Sequence, residues 1–238
     1  MTDSIRGIRG LVVAGAVLGA VMCAAPSAEA SQIWVRDGNG GTVFNGGPGS
    51  VNLTIKVDGG PNQSVAAGAF ALQYSFTAPG PGTNWVNFLT YCLEPDEFLG
   101  ISGSTPVTGS YVGSFGATSE YGADATALTR LTNTWFADSL TSATKSAAFQ
   151  IALWEIAYDS DNNLDTGSLR LVTNGAVKTQ AIAYLDQANW NPLGADVGVI
   201  LRVGNQDLII MVPEPASLAL IGMGLLGLGF AARRCRAA

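Results

Sequence analysis

The chain has 238 residues, no histidine, three cysteines and a formal net charge of −6. Without histidine, Ser-His-Asp and Cys-His catalytic arrangements and His-ligated zinc are excluded. The acidic balance argues against nucleic acid and against anionic membrane surfaces as partners, and it says nothing about fold.

The first segment carries Arg6 and Arg9, then the apolar run "LVVAGAVLGAVMCAA", then small residues at Ala28 and Ala30. This basic, apolar, small-x-small order reads as a secretory signal peptide over residues 1–30, cleaved after Ala30. Lipoprotein processing at Cys23 does not fit, because Met22 is bulky where a small residue is required. Residues 31–211 are then the working protein, expected as one domain or a small domain with an inserted lobe.

From Ser31 to about Leu93 the pattern is that of short strands. "VNLTIKV" and "FALQYSF" alternate at period two, and "NWVNFLTYCLE" reads as one longer strand. Glycine and proline clusters such as "VDGGPN" and "APGPG" punctuate them as turns. "SGSTPVTGSYVGSFGATS" has room for one hairpin. Three helices follow, in "EYGADATALTRLTNTWFADSL", "SATKSAAFQIALWEIAYD" and "AVKTQAIAYLDQAN", and then "VGVILRV" and "DLIIMV" as closing strands. In the first helix Ala125, Leu128, Leu131, Trp135 and Phe136 fall near one face. Strands, helices and strands again give an α+β fold, a β-sandwich or barrel with a helical lobe inserted before the last strands.

The C-terminal segment, residues 212–238, combines Pro213, Glu214 and Pro215 with a charge-free apolar stretch over Ala216–Ala232 and with Arg233, Arg234 and Arg236. The stretch is at the lower limit for a single transmembrane helix, and the arginines would stay in the cytoplasm with everything before them outside. These three parts in order resemble a PEP-CTERM sorting signal. That family belongs to Gram-negative bacteria, and the resemblance implies processing near the motif by an exosortase-type enzyme. It also implies a transient inner-membrane-anchored intermediate and delivery to the cell surface or extracellular matrix.

Cys23 and Cys235 lie in segments expected to be removed, which leaves Cys92 as the lone thiol and rules out a disulfide scaffold or cysteine metal cluster. On the second helix, steps of three and four from Gln150 reach Ala147, Leu153, Trp154 and Ala157, so Gln150 projects from the apolar stripe while Lys145, Glu155 and Asp159 lie elsewhere. A buried amide needs partners. A hydrogen bond to a neighbouring strand would supply them. "YCLE" on a strand and "FQIALWE" on a helix also resemble the paired motifs of bacterial thioester domains of surface adhesins. The resemblance implies a bond from the Cys92 sulfur to the Gln150 side-chain carbonyl, with Tyr91 and Trp154 as flanking motif residues. Trp85 and Phe88 would complete an aromatic shell, and Glu94 would receive or steer a proton, its other reading being a solvated loop carboxylate. The sequence departs from the family at Phe149, where threonine is usual.

Other signals are weaker. Asp159, Asp161, Asn163 and Asp165 alternate as in a calcium loop, but Leu164 stands where glycine is expected and Arg170 where a bidentate glutamate belongs. The segment reads as an acidic helix-terminating loop, with no metal assigned. Lys145 near Ser142 and Ser146 reads as a hydrated surface lysine, and Asp96 and Glu97 as solvated acids, not as hydrolase groups. The expectation is therefore an exported, non-enzymatic protein without cofactor, attached covalently to amine or hydroxyl groups of a surface or matrix polymer. The alternative is a non-covalent structural or polysaccharide-associated matrix protein in which Cys92 is inert.

Overall fold

The computed structural model describes residues 30–211, apart from residues 39, 160, 193 and 195. The expected signal peptide and sorting helix lie outside the described residues. Among those described, no helix is long and apolar enough to cross a membrane.

Among the described residues, nine strands and three α-helices run in the order β1 (Ser31–Arg36), β2 (Ser50–Val57), β3 (Gln63–Gly68), β4 (Phe70–Ser75), β5 (Val86–Thr90), β6 (Val107–Val112), α1 (Ala125–Ser139), α2 (Ala143–Tyr158), β7 (Leu169–Leu171), α3 (Ala176–Leu185), β8 (Val197–Leu201) and β9 (Leu208–Met211). Six strands form an antiparallel sheet in the order β5-β4-β1-β6-β8-β9, and β3-β2-β7 form a second sheet. The larger sheet is nearly closed. Beyond Thr90 the chain reaches β9 through a bridge between Cys92 and Leu208, with Ile209 N–H donating to Tyr91 O and Leu93 N–H donating to Asp207 O, each at 3.0 Å. The α+β class with a barrel-like sheet and helices before the last two strands agrees with the sequence. Two readings need correction. "NWVNFLTYCLE" is not one strand, because its partner changes from β4 to β9 after Thr90. "SGSTPVTGSYVGSFGATS" holds the single strand β6 and a short 3₁₀ turn at Phe115–Ala117, not a hairpin.

The partner change has a local cause. Phe70 pairs with Thr90, so the same register continued by two residues would set Gly68 opposite Cys92. Gly68 belongs instead to β3 and pairs with Ser50. A Cβ there would lie 2.5 Å from the Gly49 carbonyl oxygen, so only glycine lets β3 pass this closely on its way into β4. The crossover leaves the edge of Tyr91–Cys92 that faces away from β9 without a strand. Helix α2 fills the gap.

Helix α2 is the centre of the molecule. Ser142 caps it, its hydroxyl accepting from Lys145 N–H at 3.3 Å, and residues 146–156 are all buried against α1, α3, β2 and β3. A helix that is apolar nearly all round belongs inside a protein, so the expected solvent face is absent and Glu155 is buried. On α1, Leu128 and Leu131 are fully buried as the pattern indicates, while Trp135 and Phe136 are half-buried.

Candidate functional site

Ser146 and Gln150 stand one turn apart on α2, so they share a face and meet the interrupted sheet together. Ser146 Oγ accepts from Ala69 N–H at 2.8 Å and lies 3.0 Å from the Tyr91 hydroxyl, which in turn lies 2.7 Å from Ser139 Oγ. Gln150 meets the backbone of Cys92. Its Oε1 accepts from Cys92 N–H at 3.1 Å, and its Nε2 donates to Cys92 O at 2.7 Å. Only this orientation of the carboxamide satisfies both main-chain groups. The side chain takes the place of the missing strand partner, which answers the sequence-level demand that a buried amide be satisfied. Residues 58 apart in the chain are thus held in contact, and both are about 1 % exposed.

The Cys92 thiol is free and buried. Burial is the main reason its pKa is raised well above the ordinary cysteine value; the Trp154 side chain beside it offsets part of the effect. The Trp154 indole nitrogen has no well-formed hydrogen bond of its own. A thiol in this setting is protonated at every physiological pH and is a poor free nucleophile.

The residues expected around this pair divide into two groups. Tyr91 and Trp154 are buried beside it, and burial pushes the Tyr91 hydroxyl up to about 12 despite its two serine partners. Trp85 and Phe88 are half-buried, and their contacts run elsewhere. Trp85 lies under the Arg36 guanidinium at 4.1 Å, and Phe88 packs edge-on to Tyr74 at 5.3 Å. Those contacts tie both rings to β1, β4 and β5. Phe149, singled out only as a departure from the adhesin motif, is fully buried, with its ring 4.8 Å from Tyr91 and 6.2 Å from both Phe136 and Tyr184.

Glu94 is half-buried and not a solvated loop carboxylate. Its Oε2 accepts from Asp207 N–H at 2.8 Å. Desolvation, with the charges of Asp207, Glu97 and Glu120 nearby, pushes its carboxyl up to about 8. Asp207 is pushed up to about 6 by its own burial, although it accepts from Arg202 N–H at 2.6 Å and from the Tyr121 hydroxyl at 3.1 Å. Nothing in the sequence marked Asp207, which lies just before β9 and meets Glu94 only because the sheet closes.

The signals set aside also find places. Lys145 pairs with Asp138 at 2.5 Å, and Ser142 and Ser146 serve as cap and buried link, so no Ser-Lys pair forms. Asp96 accepts from the Tyr158 hydroxyl.

Residues 212–234 match the PEP-CTERM protein-sorting motif. No curated protein and no solved structure matches the chain. The motif implies export, a membrane-anchored intermediate, processing by exosortase and sorting to the cell surface or extracellular space.

Proposed function

We propose that the exported domain forms an internal thioester between Cys92 Sγ and Gln150 Cδ and uses it to attach covalently to amine or hydroxyl groups of a surface or matrix polymer. The observation that carries this reading is the two-point contact of the Gln150 carboxamide with Cys92. In forming the bond, the sulfur adds to Cδ, the carbon–nitrogen bond breaks, and the thiol proton leaves with the amide nitrogen as ammonia. The Cys92 N–H already donates to the oxygen that would gain negative charge, which is the electrostatic help an acyl transfer needs. Holding the two groups together in a rigid fold supplies effective molarity worth roughly 7–11 kcal/mol at best. Glu94, two residues on from Cys92 and held by Asp207 N–H, is the acid assigned to proton traffic in this reading. An incoming amine would then take the acyl group of Gln150 and release the Cys92 thiol. Exclusion of water fits the burial of both groups.

A second reading rests on the same contact. Gln150 satisfies both main-chain groups of Cys92 without any covalent bond, so the pair also suits a purely structural role in a non-covalent matrix protein. Methylamine separates the two. The thioester reading expects uptake of one methylamine at Gln150 with release of one maleimide-reactive thiol, and neither in Cys92→Ala. The structural reading expects no uptake and a thiol that reacts only on unfolding.

A further inference from the structure

We propose that Glu155, Asp159 and Asp161, at the C-terminal end of α2, form a site for a hard divalent cation, calcium. Each offers one carboxylate oxygen, and these oxygens lie within 4.8 Å of one another, a separation that one ion with 2.3–2.6 Å ligand bonds can span. Asp159 caps the end of α2, its N–H donating to the Glu155 carbonyl at 2.8 Å, and the chain then turns back. Asn163 N–H donates to Glu155 Oε1 at 2.8 Å and to Asp161 Oδ1 at 2.7 Å, drawing the third carboxylate onto the other two.

Proximity of acids alone would not require an ion. The second observation is Glu155 itself, which is 0 % exposed and whose Oε2 is buried without a hydrogen-bond donor. Placing a carboxylate there uncompensated is costly. The two ion pairs formed among the described residues are Lys145–Asp138 and Lys178–Asp165, and neither reaches this cluster. A calcium ion would compensate this buried carboxylate while satisfying all three groups.

This ligand set is not the one the alternating acids suggest. Asp165 is committed to Lys178, Asn163 contributes its main-chain N–H, and the buried acid comes from the helix, one turn before the loop. The site would fix the end of α2, the helix that carries Gln150 and Trp154.

The test uses the full-length chain and Ca²⁺ alone, with binding measured by calorimetry and the melting temperature with and without a chelator. One Ca²⁺ per chain is expected, with a dissociation constant of order 10⁻⁴–10⁻³ M, as in other extracellular modules. At about 10 mM Ca²⁺ the melting temperature should rise by roughly 3–10 °C and return on chelation. Asp161→Asn, at an exposed position, should remove most of the shift. Glu155→Gln should remove it too, yet melt no lower than wild type in chelator, because a neutral amide replaces a buried carboxylate that has no counter-charge there. No calcium response in wild type, or one that both variants retain, would overturn the proposal. A response lost in Glu120→Gln but kept in Asp161→Asn would overturn it as well, since Glu94, Glu120 and Asp207 form the other acidic cluster.

Discussion

Gln150 donates through Nε2 to the Cys92 carbonyl, so glutamate at this position would set a carboxylate oxygen against a carbonyl oxygen in a buried site. Gln150→Glu is expected to destabilise the domain relative to wild type, and more so at pH 8 than at pH 5. The sign follows from burial: the folded-state pKa of the new carboxyl is raised above its unfolded value, so its stability cost grows as pH rises through the raised pKa. Equal melting differences from wild type at the two pH values would show that the amide donor is not needed. Phe149 presents the opposite case. Its ring fills the space between Tyr91, Phe136 and Tyr184, so threonine there would leave a cavity and bury a hydroxyl. Phe149→Thr is expected to cost about 3 kcal/mol or more, a fall of roughly 6–12 °C in melting temperature. A change within 2 °C or so would mean that the aromatic cluster repacks. Restoring the adhesin-like hydroxyl therefore carries a stability cost that the motif by itself does not reveal. Gln150 was legible in the sequence as an amide on an apolar stripe. Its partner was legible only through the adhesin resemblance, because the vacancy beside Cys92 arises from a strand crossover at Gly68.

Elements with strong periodicity read best: β2 buries Leu53, Ile55 and Val57 at period two, and the three helices form in the three expected segments, whereas β4 buries Phe70, Ala71 and Leu72 together. The failures share a cause, which is that a partner was non-local. Strand β5 stops at Thr90 because β4 begins at Phe70, a limit that nothing in "NWVNFLTYCLE" encodes. Strand β7 has three residues, too few for periodicity, and exists because β2 offers Ile55–Val57 to pair with it. Helix α2 looked amphipathic because Lys145 and Asp159 mark its ends, yet its middle is enclosed on all sides. At this scale the link between α2 and the sheet is open to test at Ser146, whose hydroxyl serves both Ala69 N–H and Tyr91. Ser146→Ala leaves a buried N–H without an acceptor and is expected to cost about 1–3 kcal/mol by chemical denaturation, with an unchanged m-value. No loss of stability would mean that the backbone crossover does not depend on α2.

For the molecule as a whole, the excess of acid is distributed unevenly, and part of it is buried at the sheet closure. Burial pushes the Glu94 and Asp207 carboxyls up to about 8 and about 6 in the folded chain, with Glu97 and Glu120 adding repulsion and with the Arg202 main-chain N–H and the Tyr121 hydroxyl opposing it at Asp207. The folded chain therefore keeps protons that the unfolded chain releases above about pH 4.5, and stability is lost as pH rises from there through 6 and 8. In chelator, the melting temperature is expected to fall between pH 5 and pH 8, with the fall reduced in Glu94→Gln; a rise would contradict these buried acids. Export and sorting act on the same molecule from its two ends, and the proposed thioester would act at its centre, so all three would leave a trace in one quantity. That quantity is the intact mass of mature protein recovered gently from the cell surface or medium. The expected mass is that of a chain beginning at Ser31, ending before the apolar tail, and lighter than that sequence by one ammonia. A processed chain at its full sequence mass would contradict the Cys92–Gln150 bond.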